Sequence, residues 1–502
     1  MVLRQKDQAG EQVIGVDLGV GREIAGEGRR QARGFPPVRL RRNFLGLPCV
    51  HAPIDLIPRA AIACRRCLVP RIATAVNLQT RCKQKVNDSA WSGGARKNRD
   101  RAWGYAGNLL TGCAGWLGVV AAVVYPGPMM PSASDQAVED APGDLQARPA
   151  FEVLASPGFT TWLSEHGSIA FTTYQAGKLF LVGLGNDSAL SIFERTFAQC
   201  MGLSASGTSL LMGTRFQIWR FENAVAPGES HDGFDAVFVP QVSYVTGNLD
   251  VHDMALDDDG RVIFVNTQFS CLATTSGRYS FVPVWRPPFI TALAAEDRCH
   301  LNGLAMDGGV PRFATALAAT DEAEGWRAHR ARGGVVIDIP SGETAVAGLS
   351  MPHSPRLHDG RLWLHESGTG YFGYADLETG RFEKVTFCPG YLRGLSIIES
   401  YAVVGLSLPR GSDGFSGFAL DDMLVQAGVG AVCAIQVIDL RSGEIVHWLQ
   451  FKGVLNELYD VLVLPGLRRP MAIGLMNDDI ERVISVGDET QQGKSAHPIL
   501  VD

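Results

Sequence analysis

Long helical patterns, paired cysteines and, after the first quarter, any excess of basic charge are missing from this 502-residue sequence. Each absence removes a class of protein. The ten cysteines divide five and five between residues 1–128 and the rest, and the later five (Cys200, Cys271, Cys299, Cys388, Cys433) show no paired spacing. A disulfide scaffold is excluded and a reducing compartment is expected. With 46% apolar and 19% charged residues the chain is neither disordered nor collagen-like, and it is long enough to bury a large core. Charge is unevenly placed. Residues 1–128 hold 20 Lys+Arg and 8 Asp+Glu, a net of +12; the remaining 25 Lys+Arg and 44 Asp+Glu give −19, and the two sum to the overall −7. That balance excludes a basic nucleic-acid binder for the acidic part.

The basic quarter has no sustained period. Cys64 and Cys67 form one C-x-x-C without the second pair a zinc site needs, and GVDLGVGREIAGEG does not match G-x-G-x-x-G. Residues 103–125 run 23 positions without a charge, directly after a basic cluster. Three readings stand side by side: translated upstream sequence with the true start at Met129 or Met130, a membrane segment with its basic end in the cytoplasm, or a soluble extension. We divide the chain into a largely unstructured basic region (1–128), an acidic lead-in (129–160) and a folded domain (161–502).

What the acidic part does have is a repeat. Short apolar runs such as KLFLVGL, TSLLMGT, RVIFVNT, RLWLHES and YAVVGLS are punctuated by Gly or Asp-Gly, the pattern of many short antiparallel strands. They recur as units: CMGLSASGTSLLMGT, VHDMALDDDGRVIFVNT, LNGLAMDGGVPRFATA, HSPRLHDGRLWLHES, LRGLSIIESYAVVGLS and LYDVLVLPGLRRPMAIGL. Aligned, they place Met201, His252, Asn302, Ser354, Arg393 and Tyr459 in one column, with a degenerate further unit near residue 168. The mean spacing of about 52 suits a four-stranded blade, so the expected fold is an all-β β-propeller. Length predicts seven blades; six is the alternative if the first and last units share one. LDDMLVQAG and NDDIERVI are the two short helix candidates.

In a propeller the first strand of each blade lines the central channel, so the aligned column converges on one axis. Side chains two apart share a strand face. Stepping back two positions gives Gln199, Asp250, His300, Pro352, Tyr391 and Glu457. His252 and His300 are candidate general bases, with Asp250 or Glu457 to orient them. Asp250, Tyr391, Arg393 and Tyr459, with Arg298 from the dense EDRCHLNG loop, are candidate ligand-binding groups, Arg393 for a carboxylate or phosphate. Asn302 and Glu457 are candidate ligands for one divalent ion (Ca, Mg, Mn or Zn). Cys299 beside His300 faces the opposite way on a strand, and Ser354 lacks a G-x-S-x-G elbow. His353 falls off the channel face in this register. Trp326, Arg327 and Arg410 sit in loops.

FTTYQAGKLFLVGL, the stretch from FSCLATTSGRYSFVPVW to EDRCHLNGLAM, GLSMPHSPR, CPGYLRGL and ELYDVLVLPG resemble an uncharacterised bacterial family of conserved hypothetical proteins, sometimes attached to tetratricopeptide repeats. The resemblance spans about 160–480 and implies no activity. More distantly, LNGLAMDGG and VHDMALDDDGRVIFVNT are similar to blades of regucalcin, gluconolactonase and strictosidine-synthase propellers. That similarity implies a divalent ion held by Asn and acidic side chains at the channel mouth. Asn302 matches such an asparagine; His252 and Arg393 stand where Asn or Asp belongs in the pattern. The expected function is binding of a small polar molecule at the channel mouth, as a metal-assisted hydrolase in the cytoplasm. The alternative is a non-catalytic platform for protein partners, and a membrane-anchored protein if 103–125 is a span.

Overall fold

The computed structural model describes residues 151–409, 417–476 and 478–486, together with short strands at Gln12–Val13, Asp17–Leu18 and Ile499–Val501. The readings made on the basic quarter, including the 103–125 segment, and on residues 129–150 fall outside the described residues.

The apolar runs form strands whose burial is nearly continuous, as in Lys178–Leu184 and Tyr401–Ser407. A strand with both faces covered by neighbouring sheets reads this way, whereas a half-exposed strand alternates. Six sheets of four or five principal strands result. Their first strands are Leu203–Ser206, Val251–Leu256, Leu301–Asp307, Pro352–His358, Tyr391–Ile398 and Val461–Leu464, which we number as blades 1 to 6. Each first strand packs on that of the next blade, and blade 6 packs on blade 1, so the ring closes. The fold is an all-β propeller with six blades. The expectation of seven is corrected: the unit near residue 168 is not a separate blade, because Ser168–Thr173 pairs with the C-terminal strand Val461–Leu464. N- and C-terminal units therefore share blade 6.

Two further crossings close the ring. Glu152–Ala155 adds a strand to the outside of blade 5, and Pro470–Ala472 runs parallel along the outside of blade 1. The helix candidate near 420 appears at Ala419–Ala427; the one near 477 is reduced to Asp479–Arg482. Phe159–His166, which the strand pattern did not reveal, buries Phe159, Trp162 and Leu163 against blades 5 and 6. Among the described residues no helix is long and apolar enough to cross a membrane.

Blades are stitched by a repeated device. A hydroxyl at the end of a second strand donates to a carbonyl in, or just before, the next blade's first strand: Thr267 Oγ1 to Leu301 O (2.6 Å), Ser367 Oγ to Leu392 O (2.7 Å), Ser407 Oγ to Leu458 O (2.9 Å) and Thr172 Oγ1 to Met201 O (2.6 Å). Between blades 3 and 4, Asn302 Nδ2 takes this role, donating to Pro352 O at 2.9 Å. These bonds satisfy carbonyls that the narrow channel would otherwise leave buried and unpaired.

The close approach of first strands restricts size. A Cβ added to Gly303 would lie 2.2 Å from Cδ of Pro355 on blade 4 and 2.3 Å from Thr315 Oγ1. Both are fixed groups, so Gly303→Ala is expected to lower stability by about 1–3 kcal/mol. An unchanged urea midpoint for this variant would refute the tight contact.

Candidate functional site

The channel is not open from end to end. Asp253, one residue past the aligned column in blade 2, accepts from its own blade at Met254 N (2.9 Å) and from blade 3 at Leu304 N (3.0 Å). Asp460 does the same for Val461 N (2.9 Å) and for Leu203 N of blade 1 (2.7 Å). Arg356 from blade 4 crosses to Asp253 with contacts of 2.7 and 3.1 Å and also donates to Leu395 O at 3.1 Å. This ion-paired layer separates two cavities, one of about 330 Å³ at one mouth and one of about 280 Å³ at the other.

The 330 Å³ cavity is where the expected residues gather. Asp250, His252, His300, Arg393 and Tyr459 all line it. Their placement follows from the start of each first strand, where the backbone makes the same unusual step. Gln199, Asp250, His300 and Met351 have φ of 54, 53, 49 and 53°. A left-handed step at non-glycine residues is strained and is held only where surrounding structure dictates it. Two residues after these steps stand Met201, His252, Asn302 and His353. The aligned residue in blade 4 is therefore His353, not Ser354. The flanking prolines and the register shift between His353 and Arg356 hid the frame.

His252 is anchored by Nδ1, which lies 3.1 Å from Asp250 O and 2.8 Å from Thr267 Oγ1. The single hydrogen of Thr267 goes to Leu301 O, so Nδ1 carries the proton and Nε2 has the lone pair. His300 is anchored differently. Its Nδ1 sits 3.0 and 2.9 Å from the two oxygens of Asp297, and Asp297 also accepts from Trp326 Nε1 at 2.8 Å. The two imidazoles meet edge to face with centroids 4.8 Å apart, and Trp326 lies 4.3 Å from His300. Arg393 rests over the Tyr459 ring at 5.0 Å. It is half-buried and has no hydrogen bond or carboxylate partner among the described residues.

Other expected residues lie elsewhere. Arg298 is tied to Glu296 (2.8 Å) and Asp321 (2.7 Å), fixing the loop rather than lining the cavity. Tyr391 is buried against Phe418, where burial raises its phenol above the ordinary range. Asn302 is 3% exposed and spent between Pro352 O and Thr315 Oγ1. The Glu457 carboxylate, also buried, accepts from Gln175 N. The two candidate metal ligands thus do not converge, and no group of three or more His, Cys, Asp or Glu among the described residues could hold a metal ion. Cys299 is fully buried and its thiol is pushed up to about 12, which removes it as a nucleophile.

Sequence reasoning missed Asp297, Trp326 and the axial Asp253–Arg356–Asp460 layer. Asp297 stands three residues before His300 in the dense EDRCHLNG loop, but its pairing with that imidazole and with Trp326 exists only once the two loops fold together. The axial acids did leave a trace, as the dipeptides HD and YD at equivalent points of two units.

Three buried imidazoles bear on stability. Burial lowers His252 to about 3 and His365 to about 4, and puts His353 well below its ordinary value. The folded state refuses a proton that the unfolded chain accepts near pH 6.5, so this stability is present above that value and is lost as pH falls. Asp460 works oppositely: burial, with Asp253 close by, raises it, so its contribution is lost as pH rises. Three groups outweigh one. The urea midpoint is expected to climb between about pH 4.5 and pH 7; a flat or falling midpoint would contradict the neutral imidazoles.

Residues 157–473 match a family described as a domain of unknown function (DUF4915). The chain belongs to this family. The matched residues take in all six first strands of the propeller and the mouth cavity. No curated protein matches the sequence. Among solved structures, virginiamycin B lyase from Staphylococcus aureus, in an inactive variant with quinupristin, is similar at 12% identity over 48% of this chain and 74% of that one, with a TM-score of 0.30. A chain of a nidogen–laminin complex is 11% identical over 59% and 97%, with a TM-score of 0.39. A protein of unknown function from Bacteroides caccae is 12% identical over 59% and 98%, with a TM-score of 0.37.

Proposed function

We propose that this DUF4915 protein binds a small polar anion in the 330 Å³ mouth cavity and acts on it as a hydrolase. One observation carries the reading: Arg393, over the Tyr459 ring, lines the cavity with no hydrogen-bond or carboxylate partner among the described residues, beside two anchored imidazoles. An unpaired, partly desolvated cation is costly unless an anion completes it, and arginine's planar fork suits carboxylate or phosphate. The Asp297–His300 pair is arranged as a general base, since Asp297 fixes Nδ1–H and leaves Nε2 to accept a proton. His300 would take a proton from water as the hydroxide adds to an acyl carbon, and return it to the departing oxygen. The five described free cysteines, all buried, suit the reducing cytoplasm.

The test is calorimetric titration of the full chain with acetate, malonate, citrate and inorganic phosphate, with glucose as the neutral control. Saturable binding of an anion, absent for glucose, supports the reading. If none binds, the small-ligand reading fails and a rim for protein partners is what remains.

A further inference from the structure

His353 repeats the geometry of His252 one blade-pair further round the ring. Its Nδ1 lies 2.9 Å from Met351 O and 3.2 Å from Ser367 Oγ, whose own hydrogen goes to Leu392 O. Nδ1 therefore carries the proton and Nε2 is an acceptor, as in His252. The surroundings differ. His252 opens to the mouth cavity, whereas His353 is 3% exposed and its Nε2 is fully buried with no hydrogen-bond partner among the described residues.

Beside it is a void of about 20 Å³ lined by His353, Arg393, Ser367, Tyr391 and Ser407 among others. A cavity needs roughly 10–15 Å³ to admit a water, and the water needs two to four polar partners. This void meets both conditions. Ser367 and Ser407 direct their hydrogens to Leu392 O and Leu458 O, so neither hydroxyl supplies Nε2 with a donor. Arg393 is a donor only. It lines both this void and the mouth cavity and makes no hydrogen bond to Nε2.

We propose that this void holds one ordered water molecule, donating to His353 Nε2 and accepting from the Arg393 guanidinium. The water makes His353 a positioning residue: it holds one edge of the guanidinium from behind while the other edge faces the mouth. This rests on the reading of Arg393 as the anion anchor. The void has room for about one water molecule.

Two measurements on the full chain test it. A high-resolution crystal structure should show an oxygen peak about 2.7–3.2 Å from His353 Nε2; an empty void overturns the proposal. Malonate titration should show roughly five- to tenfold weaker binding for His353→Leu and binding within about twofold of the parent for His353→Gln, whose amide oxygen again accepts. Equal affinity for all three overturns the positioning role. If His353→Leu fails to fold, the crystal structure and His353→Gln decide. If the parent binds no anion, the proposed function falls while the oxygen peak still decides the water.

Discussion

Arg356→Met is expected to destabilise the propeller by about 3–5 kcal/mol, the largest effect of any single substitution considered for the channel. The reason is the charge left behind rather than the pair lost. Asp253 is 3% exposed and holds Arg356 at 2.7 and 3.1 Å, and Asp460 is equally buried close by. With the guanidinium gone, two carboxylates share a low-dielectric layer with no cation. Their backbone N–H donors stabilise the ionised forms but do not cancel the repulsion. The cost should appear as a drop in melting temperature of several degrees by calorimetry. A second variant separates lost pairing from lost packing: Arg356→Met combined with Asp253→Asn should cost less than the sum of the two single changes, because the orphaned charge is removed with its partner. A single variant that melts within experimental error of the parent would show the layer to be dispensable.

Arg393→Gln is expected to do the reverse, weakening anion binding by about 30- to 100-fold while leaving stability within about 0.5 kcal/mol. The two arginines make an instructive pair. Arg356 is saturated by Asp253 and backbone carbonyls, so its work is internal. Arg393 has the Tyr459 ring beneath it and no carboxylate partner among the described residues, so its removal leaves no charge behind. The loss of one charge-assisted, bidentate contact accounts for the expected fold-change. Arg393→Lys should fall between the two, since an ammonium keeps the charge but not the fork. Titration with malonate and phosphate checks this. Equal affinity in parent and glutamine variant would place the anion elsewhere.

Much of the site was legible because a propeller turns sequence period into spatial convergence. The recurring unit is enough to bring Asp250, His252, His300, Arg393 and Tyr459 to one cavity, as they lie at equivalent points of four units. Asn302 and Glu457 occupy equivalent points too, yet their side chains turn to Pro352 O and Gln175 N. A shared position fixes where a side chain starts; the neighbouring blade decides what it bonds. Likewise His353 rather than Ser354 occupies the column, because two prolines and a register shift displace the frame that alignment of letters suggests.

By itself the sequence determined the all-β class, the unit of about 52 residues and the polar character of the channel mouth. These are local matters of strand pattern, turn residues and which side chains recur. The number of blades was decided only when Val461–Leu464 paired with Ser168–Thr173, a contact between segments nearly three hundred residues apart that merges two units into one blade. The closing of the channel was decided the same way, by Arg356 reaching across the axis to Asp253. Both depend on ring closure, which brings distant charges and edges into register at once and leaves no mark in any single stretch of chain.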